Sequence, residues 1–365
     1  MRTLPQGSSL ARAGMIGVLL GCAGGAHADV FWGLGPGSRV NAISADGSTA
    51  VGRIGGRAYR WVNSTAQDLN TFGDGSTSTA IGVSADGSVV VGNAYNGDFL
   101  SPDTMAFRWS AGGTQSFGAT GGSYEGWGSL GVSADGSVVV GRRGFGPGAT
   151  AFGADFGPPV SNGRSTATGV SADGSVIVGQ SRTDAGDHAE AFRWSTAGGV
   201  TLLGALPGGL ESAATAISGD GTHVIGWSQS SAGRQAFAWS GAGMVPLGDL
   251  AGGAFDSIAL ATSADGAIVV GTATSDSGPV AFRWTQTTGI VPLKDWLQGA
   301  GVNLPDWQLT SATGISADGL TMVGNGIGPG GESQAWIVTV PAPGAAVGLV
   351  LGSTALSRRA RRHAR

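Results

Sequence analysis

AIGVSADGSVVVG, residues 80–92, is one of seven copies of a single phrase. The others are VNAISADGSTAVG (40–52), SLGVSADGSVVVG (129–141), ATGVSADGSVIVG (167–179), ATAISGDGTHVIG (214–226), ALATSADGAIVVG (259–271) and ATGISADGLTMVG (312–324). Their aspartates, Asp46, Asp86, Asp135, Asp173, Asp220, Asp265 and Asp318, follow one another at intervals of 38 to 53 residues. Repetition on this scale marks a fold built from one recurring supersecondary unit. Asp-Gly between two β-branched runs favours a tight primed turn through positive φ, so each phrase predicts a β-hairpin.

Working outward from the hairpin, a third strand follows a variable loop: AYRW (58–61), AFRW (106–109, 191–194 and 281–284), AFAW (236–239) or AWIV (335–338). Its two aromatic positions alternate with one residue facing the other way, the period of a pleated strand. A fourth run comes next, as in MVPLGDL (244–250) and IVPLKDW (290–296). Four antiparallel strands in about 45 residues define a propeller blade. The seventh repeat stops after AWIVTV (335–340), while VFWGLG (30–35) precedes the first repeat and echoes the fourth-strand runs. The expectation is an all-β, seven-bladed propeller of four strands per blade, closed by the N-terminal strand completing the last blade. A solenoid would need capping repeats at both ends, and none is visible.

Composition agrees with this class and excludes others. Glycine supplies 69 of 365 residues, charged residues only 12%, and Lys294 is the only lysine. Disorder needs more charge and less hydrophobicity, and a coiled coil needs lysine and glutamate in heptads. Collagen would show glycine at every third position.

The two ends read differently from the body. Residues 1–28 have the form of a signal peptide: Arg2 and Arg12, an apolar core at 15–21, and an Ala26-His27-Ala28 cleavage site before Asp29. A competing reading takes Leu19-Leu20-Gly21-Cys22 as a lipoprotein box with Cys22 acylated. At the other end, Pro341-Ala342-Pro343 leads into a short apolar run, 344–356, and the basic tail SRRARRHAR, 357–365. As a helix, that run reaches about 20 Å, short of the roughly 30 Å hydrocarbon core. Without these ends, residues 29–340 hold 13 basic and 24 acidic side chains, a formal charge of −11. That balance argues against nucleic acid as a partner. Cys22 is the only cysteine, so residues 29–340 have no disulfide or thiolate metal site.

The repeats, with their Ala-Phe dipeptides such as Ala191-Phe192, resemble the HAF family of extracellular repeats over nearly all of 30–340. The Pro motif, apolar run and arginine cluster resemble the PEP-CTERM sorting signals of Gram-negative bacteria, with Ala342 in place of the usual Glu. The resemblance implies an exported or surface protein, processed by signal peptidase and exosortase and transiently anchored in the membrane through residues 341–365. Ala28, Asp29, Pro341 and Pro343 are then the processing positions. It brings no catalytic residues.

The residues themselves offer little chemistry. An asymmetric active site has no use for seven copies, so the turn aspartates read as structural, and the repeated Arg60, Arg108, Arg193 and Arg283 as packing groups paired with a neighbouring blade's aspartate. The first strands, expected to line the central channel, carry no titratable side chain within the phrases. His188 and His223 are the only histidines in 29–340, too few for a histidine metal cluster. Asp184, Asp187 and Glu190 crowd one loop, where a solvated acidic surface competes with a calcium site. No cofactor, metal or catalytic residue is assigned. The ligand-binding candidates are loop aromatics: Tyr95, Phe99, Tyr124, Trp127, Trp296 and Trp307, suited to stacking on sugars or meeting a protein. For Trp296 and Trp307 a small local core is the favoured reading. The expected function is a non-enzymatic, exported binding or scaffold protein with an extracellular polysaccharide or matrix protein as partner. The alternatives are a propeller-type polysaccharide hydrolase or lyase, or a purely structural surface component.

Overall fold

The computed structural model describes residues 30–63, 65–71, 77–95, 104–117, 128–142, 149–152, 165–182, 188–304 and 306–340. The strands form seven antiparallel sheets, and the fold is an all-β propeller with one helix. Six sheets have four strands. The third, built from Gly128–Val132, Val139–Arg142 and Ala149–Phe152, has three among the described residues, which corrects the expectation of four in every blade. Its AFGADF segment lacks the Trp of the other third strands, and the chain beyond Phe152 lies outside the described residues up to Ser165.

The seventh sheet joins the two ends of the chain. Its order runs from Val30–Pro36 through Ser333–Thr339 and Thr321–Ile327 to Gln308–Ile315, with Phe31 opposite Val338 and Trp32 opposite Ile337. The N-terminal segment is therefore the outer strand of the last blade, as its sequence predicted.

The hairpin turns are larger than the two-residue primed turn expected from Asp-Gly. In blade one the loop spans Ala45 to Ser48: Ser44 N–H donates to Thr49 O at 2.8 Å and Gly47 N–H to Ser44 O at 2.9 Å. Only the glycine takes positive φ (73° at Gly47), and the aspartate does not. The side chains explain why. In blade two the Asp86 carboxylate accepts the Ser84 hydroxyl at 2.8 Å and the Ser88 N–H at 2.9 Å, while Ser84 Oγ accepts the Val89 N–H at 2.9 Å. A Ser-x-Asp-Gly loop thus satisfies its own polar groups. The first serine of every turn is buried, from Ser44 to Ser316.

These turns also link the blades. Asp46 N–H donates to Ala85 O, Ala85 to Ala134, Ala134 to Ala172, Ala172 to Gly219, Asp220 to Ala264, Ala264 to Ala317, and Ala317 back to Ala45, at 2.8 to 3.3 Å. Seven backbone hydrogen bonds close a ring around the axis. First strands of successive blades touch in the same cyclic order, so they are innermost.

Between blades lie the apolar layers. Phe107, Phe192, Phe237, Phe282 and Trp336, at equivalent third-strand positions, are fully buried. The last glycine of the phrase permits this packing: a β-carbon on Gly92 would collide with the Thr79 carbonyl oxygen, where the first strand bulges between Ala80 and Gly82. Arg60, Arg108 and Arg193 reach the next blade's turn, but at its glycine carbonyl rather than its aspartate, whereas Arg283 covers the Trp296 ring. Arg108 Nε donates to Gly136 O at 3.2 Å, and Arg60 sits 4.4 Å over the Trp109 ring while reaching Gly87 O at 3.4 Å.

Candidate functional site

The hairpin turns occupy one end of the ring. The loops joining strands two to three and four to one occupy the other, because a first strand's start pairs with a second strand's end, as Thr77 does with Tyr95. The turn end is chemically closed. Hydrogen bonds from Ser88 and Ser84 hold the Asp86 carboxyl down at about 2, and those from Ser133 and Ser137, or Ser171 and Ser175, do the same for Asp135 and Asp173. Each carboxylate is committed to its own loop. Among the described residues no group of three or more His, Cys, Asp or Glu side chains is placed to hold a metal ion, and no helix is long and apolar enough to cross a membrane.

Three of the exposed large apolar side chains lie at the loop end, while Trp32, Leu202 and Val245 are exposed on the outer strands Val30–Pro36, Gly199–Gly204 and Gly243–Gly248. Tyr95 ends its strand 41% exposed, Phe255 is 38% exposed and Leu210 is 64% exposed. Leu210 and Phe255 stand at matching places in two loops between blades, LPGGLES (206–212) and LAGGAFDS (250–257). Beside Phe255, Arg234 forms a two-pronged pair with Asp256, Nε to Oδ1 at 2.6 Å and Nη2 to Oδ2 at 2.7 Å, with the guanidinium 5.8 Å from the Trp227 ring centre. The equivalent acid in the preceding loop, Glu211, faces His188 at 3.7 Å. An apolar side chain beside a fixed ion pair offers stacking surface and hydrogen-bonding capacity together.

Of the loop aromatics singled out in the sequence, Tyr95 is the one exposed at this end among the described residues. Phe99, Tyr124 and Trp127 lie outside the described residues, as do Ala28, Asp29, Pro341 and Pro343. Trp307 is buried in the core of the last blade, edge-on to Phe31 at 5.0 Å between ring centres. Trp296 is half-buried on the helix Leu293–Gly299, its ring covered by the Arg283 guanidinium at 4.3 Å. This helix replaces the second half of the fourth strand expected over 290–296, which ends at Pro292. Leu210, Phe255 and the Arg234–Asp256 pair were missed in the sequence. The signal was there: both loops end in an apolar residue and an acid immediately before the first strand.

No family model and no curated protein matches the chain. Among solved structures the chain is similar to TolB from Acinetobacter baumannii (12% identity, TM-score 0.42), covering 69% of this chain and 61% of that one. It is similar to a prolyl endopeptidase (11% identity, TM-score 0.53; 85% of this chain and 51% of that one) and to a chain of the mitotic checkpoint complex (12%, 0.50; 85% and 94%). The chain thus spans about three-fifths of the Acinetobacter protein and half of the endopeptidase. At such identities the likeness is one of fold alone.

Proposed function

We propose that this chain is an exported, non-enzymatic seven-bladed propeller that presents its loop end to an extracellular polysaccharide or matrix protein. The observation that carries the reading is the division of labour between the two ends. The repeated turn carboxylates are consumed by their own loops, whereas Tyr95, Leu210 and Phe255 are exposed at the other end, where the repeats differ. Large apolar side chains ringed by polar groups suit stacking on a sugar or meeting a protein. Export rests on the signal-peptide form of residues 1–28. The resemblance of residues 341–365 to a PEP-CTERM signal makes signal peptidase and exosortase the processing partners, and the surface of a Gram-negative cell or its surroundings the destination.

Two experiments test this. A glycan array and a matrix pull-down with the exported protein should return a ligand. Turnover of a polysaccharide by the purified protein would instead replace the binding reading with the hydrolase or lyase alternative. Mass spectrometry of the exported species should show a start at Asp29 and loss of Arg358 to Arg365. A lipid on Cys22 or an intact basic tail would contradict the processing scheme.

A further inference from the structure

Arg39 stands near the start of blade one's innermost strand, directly opposite Arg53 near the end of the second strand. Both lie at the loop end of the ring, and both side chains are exposed. Residues directly opposed on antiparallel strands have β-carbons about 5 Å apart, where like charges oppose folding. Among the described residues neither arginine has a carboxylate or carbonyl partner. Other arginines are held: Arg57 by Asp68 at 3.0 Å, Arg234 by Asp256 at 2.6 Å, and Arg60 and Arg283 over tryptophan rings. Arg53 follows the last glycine of its phrase, a place that serves the fold in other blades. There Asn325 binds the Val40 amide and carbonyl of the next blade, each at 3.0 Å, and Thr272 binds the Thr310 carbonyl at 2.9 Å. Arg142 fills the same place in blade three, but opposite Gly128. Among the described residues, blade one alone sets two cations opposite each other at this place.

Two guanidiniums side by side repel each other in the free protein, and a bridging anion removes that cost. Their forked donors match a planar carboxylate. The surroundings point to a saccharide as its bearer. Blade one's first two strands pack on Thr77–Val83 of blade two, whose Thr77 pairs with the exposed Tyr95 at the same end. An aromatic face in the blade beside a cation pair suits a sugar ring that carries an acid. Residues 29–340 hold 13 basic and 24 acidic side chains, which disfavours general attraction of polyanions, so recognition must be local. On the polysaccharide reading of the loop end, on which this site rests, we propose that Arg39 and Arg53 hold the carboxylate of a uronate unit. The ligand class is then an acidic polysaccharide.

The test uses the full exported chain with fluorescein-labelled hexasaccharides of mannuronate and of glucose, followed by anisotropy. The parent should bind the mannuronate oligomer. Arg39→Gln and Arg53→Gln should each weaken that binding about tenfold or more, and leave any binding of the glucose oligomer unchanged. Arg182→Gln is the control, since it removes one charge at the same end from a residue that stands opposite Ala189. It should bind mannuronate as the parent does. Melting without ligand is the second readout: losing either arginine relieves repulsion, so both variants should melt at or above the parent. Undiminished mannuronate binding by both variants, an equal loss in Arg182→Gln, or lower melting of both variants would overturn the site. Binding of the glucose oligomer alone would overturn it and leave the polysaccharide reading in place. Tighter binding of a labelled glutamate hexapeptide would give the pair to an acidic protein instead, and binding of no saccharide would overturn both readings.

Discussion

Ser84 shows what a repeated residue does in this fold. Its hydroxyl is buried, donates to Asp86 and accepts from the Val89 N–H, so one oxygen joins the turn to the second strand. Ser84→Ala leaves a buried N–H without a partner and should cost about 1–3 kcal/mol in urea unfolding. The aspartates make a pH prediction. Asp86, Asp135 and Asp173 sit at about 2 in the folded chain, against about 3.9 in an unfolded one. A depressed carboxyl stabilises the fold above its unfolded value, and the contribution is lost as pH falls toward the folded value. The urea midpoint should therefore hold steady above pH 5 and decline between about pH 4 and 2. Asp86→Asn should flatten that decline; an unchanged slope would detach these carboxylates from acid stability. The serine was readable, because it precedes Asp-Gly by two positions in all seven phrases. Asp-Gly alone points to a two-residue turn, and the hydrogen-bonding of its neighbours makes the loop longer.

At the scale of elements, the insertion between blades six and seven shows where local reading stops. LKDWLQG forms a helix because Leu293 and Leu297, four residues apart, bury one face, and Pro292 ends the preceding strand. The apolar run across 290–296 does not by itself distinguish that from a continuing strand. Trp296 and Trp307 are likewise indistinguishable in a Gly-rich loop. What separates them is Phe31, which packs on Trp307 from the other end of the chain. Trp307→Ala should open a cavity and cost about 3–5 kcal/mol. Trp296→Ala removes mainly the half-exposed stacking with Arg283 and should cost about 1 kcal/mol. Equal losses in thermal unfolding would mean that the helix is as deeply embedded as the tryptophan beyond it.

The whole molecule is a ring, and its seam lies between blades seven and one. There Asn325 accepts the Val40 N–H and donates to the Val40 carbonyl, each at 3.0 Å, while Ala317 N–H reaches Ala45 O at 2.8 Å. Asn325→Ala should lower stability by about 2 kcal/mol, and hydrogen exchange should show the ring amides of Ala85, Ala134 and Ala317 opening together as the seam weakens. The propeller class, the strand order within a sheet and the pairing of the N-terminal strand with the last repeat were legible because the repeated phrase and one displaced strand carry them. The hydrogen-bonded ring was not, since it depends on carbonyls meeting amides in a neighbouring blade. The matching apolar-acid pairs of the two loops were in the sequence, but the exposure of Leu210 and Phe255 was not, because the blades on either side decide it.

In the proposed reading, the repeats build the ring and the unrepeated loop end binds. Its most direct test pairs binding with stability for two variants, using the ligand returned by the array or pull-down. Leu210→Ala with Phe255→Ala should weaken binding at least tenfold, about 1.4 kcal/mol, and leave the melting temperature within about 2 °C of the parent. Ser84→Ala should lower the melting temperature and bind with parental affinity while folded. Undiminished binding by the double variant, or loss of binding in a fully folded Ser84→Ala chain, would contradict the account.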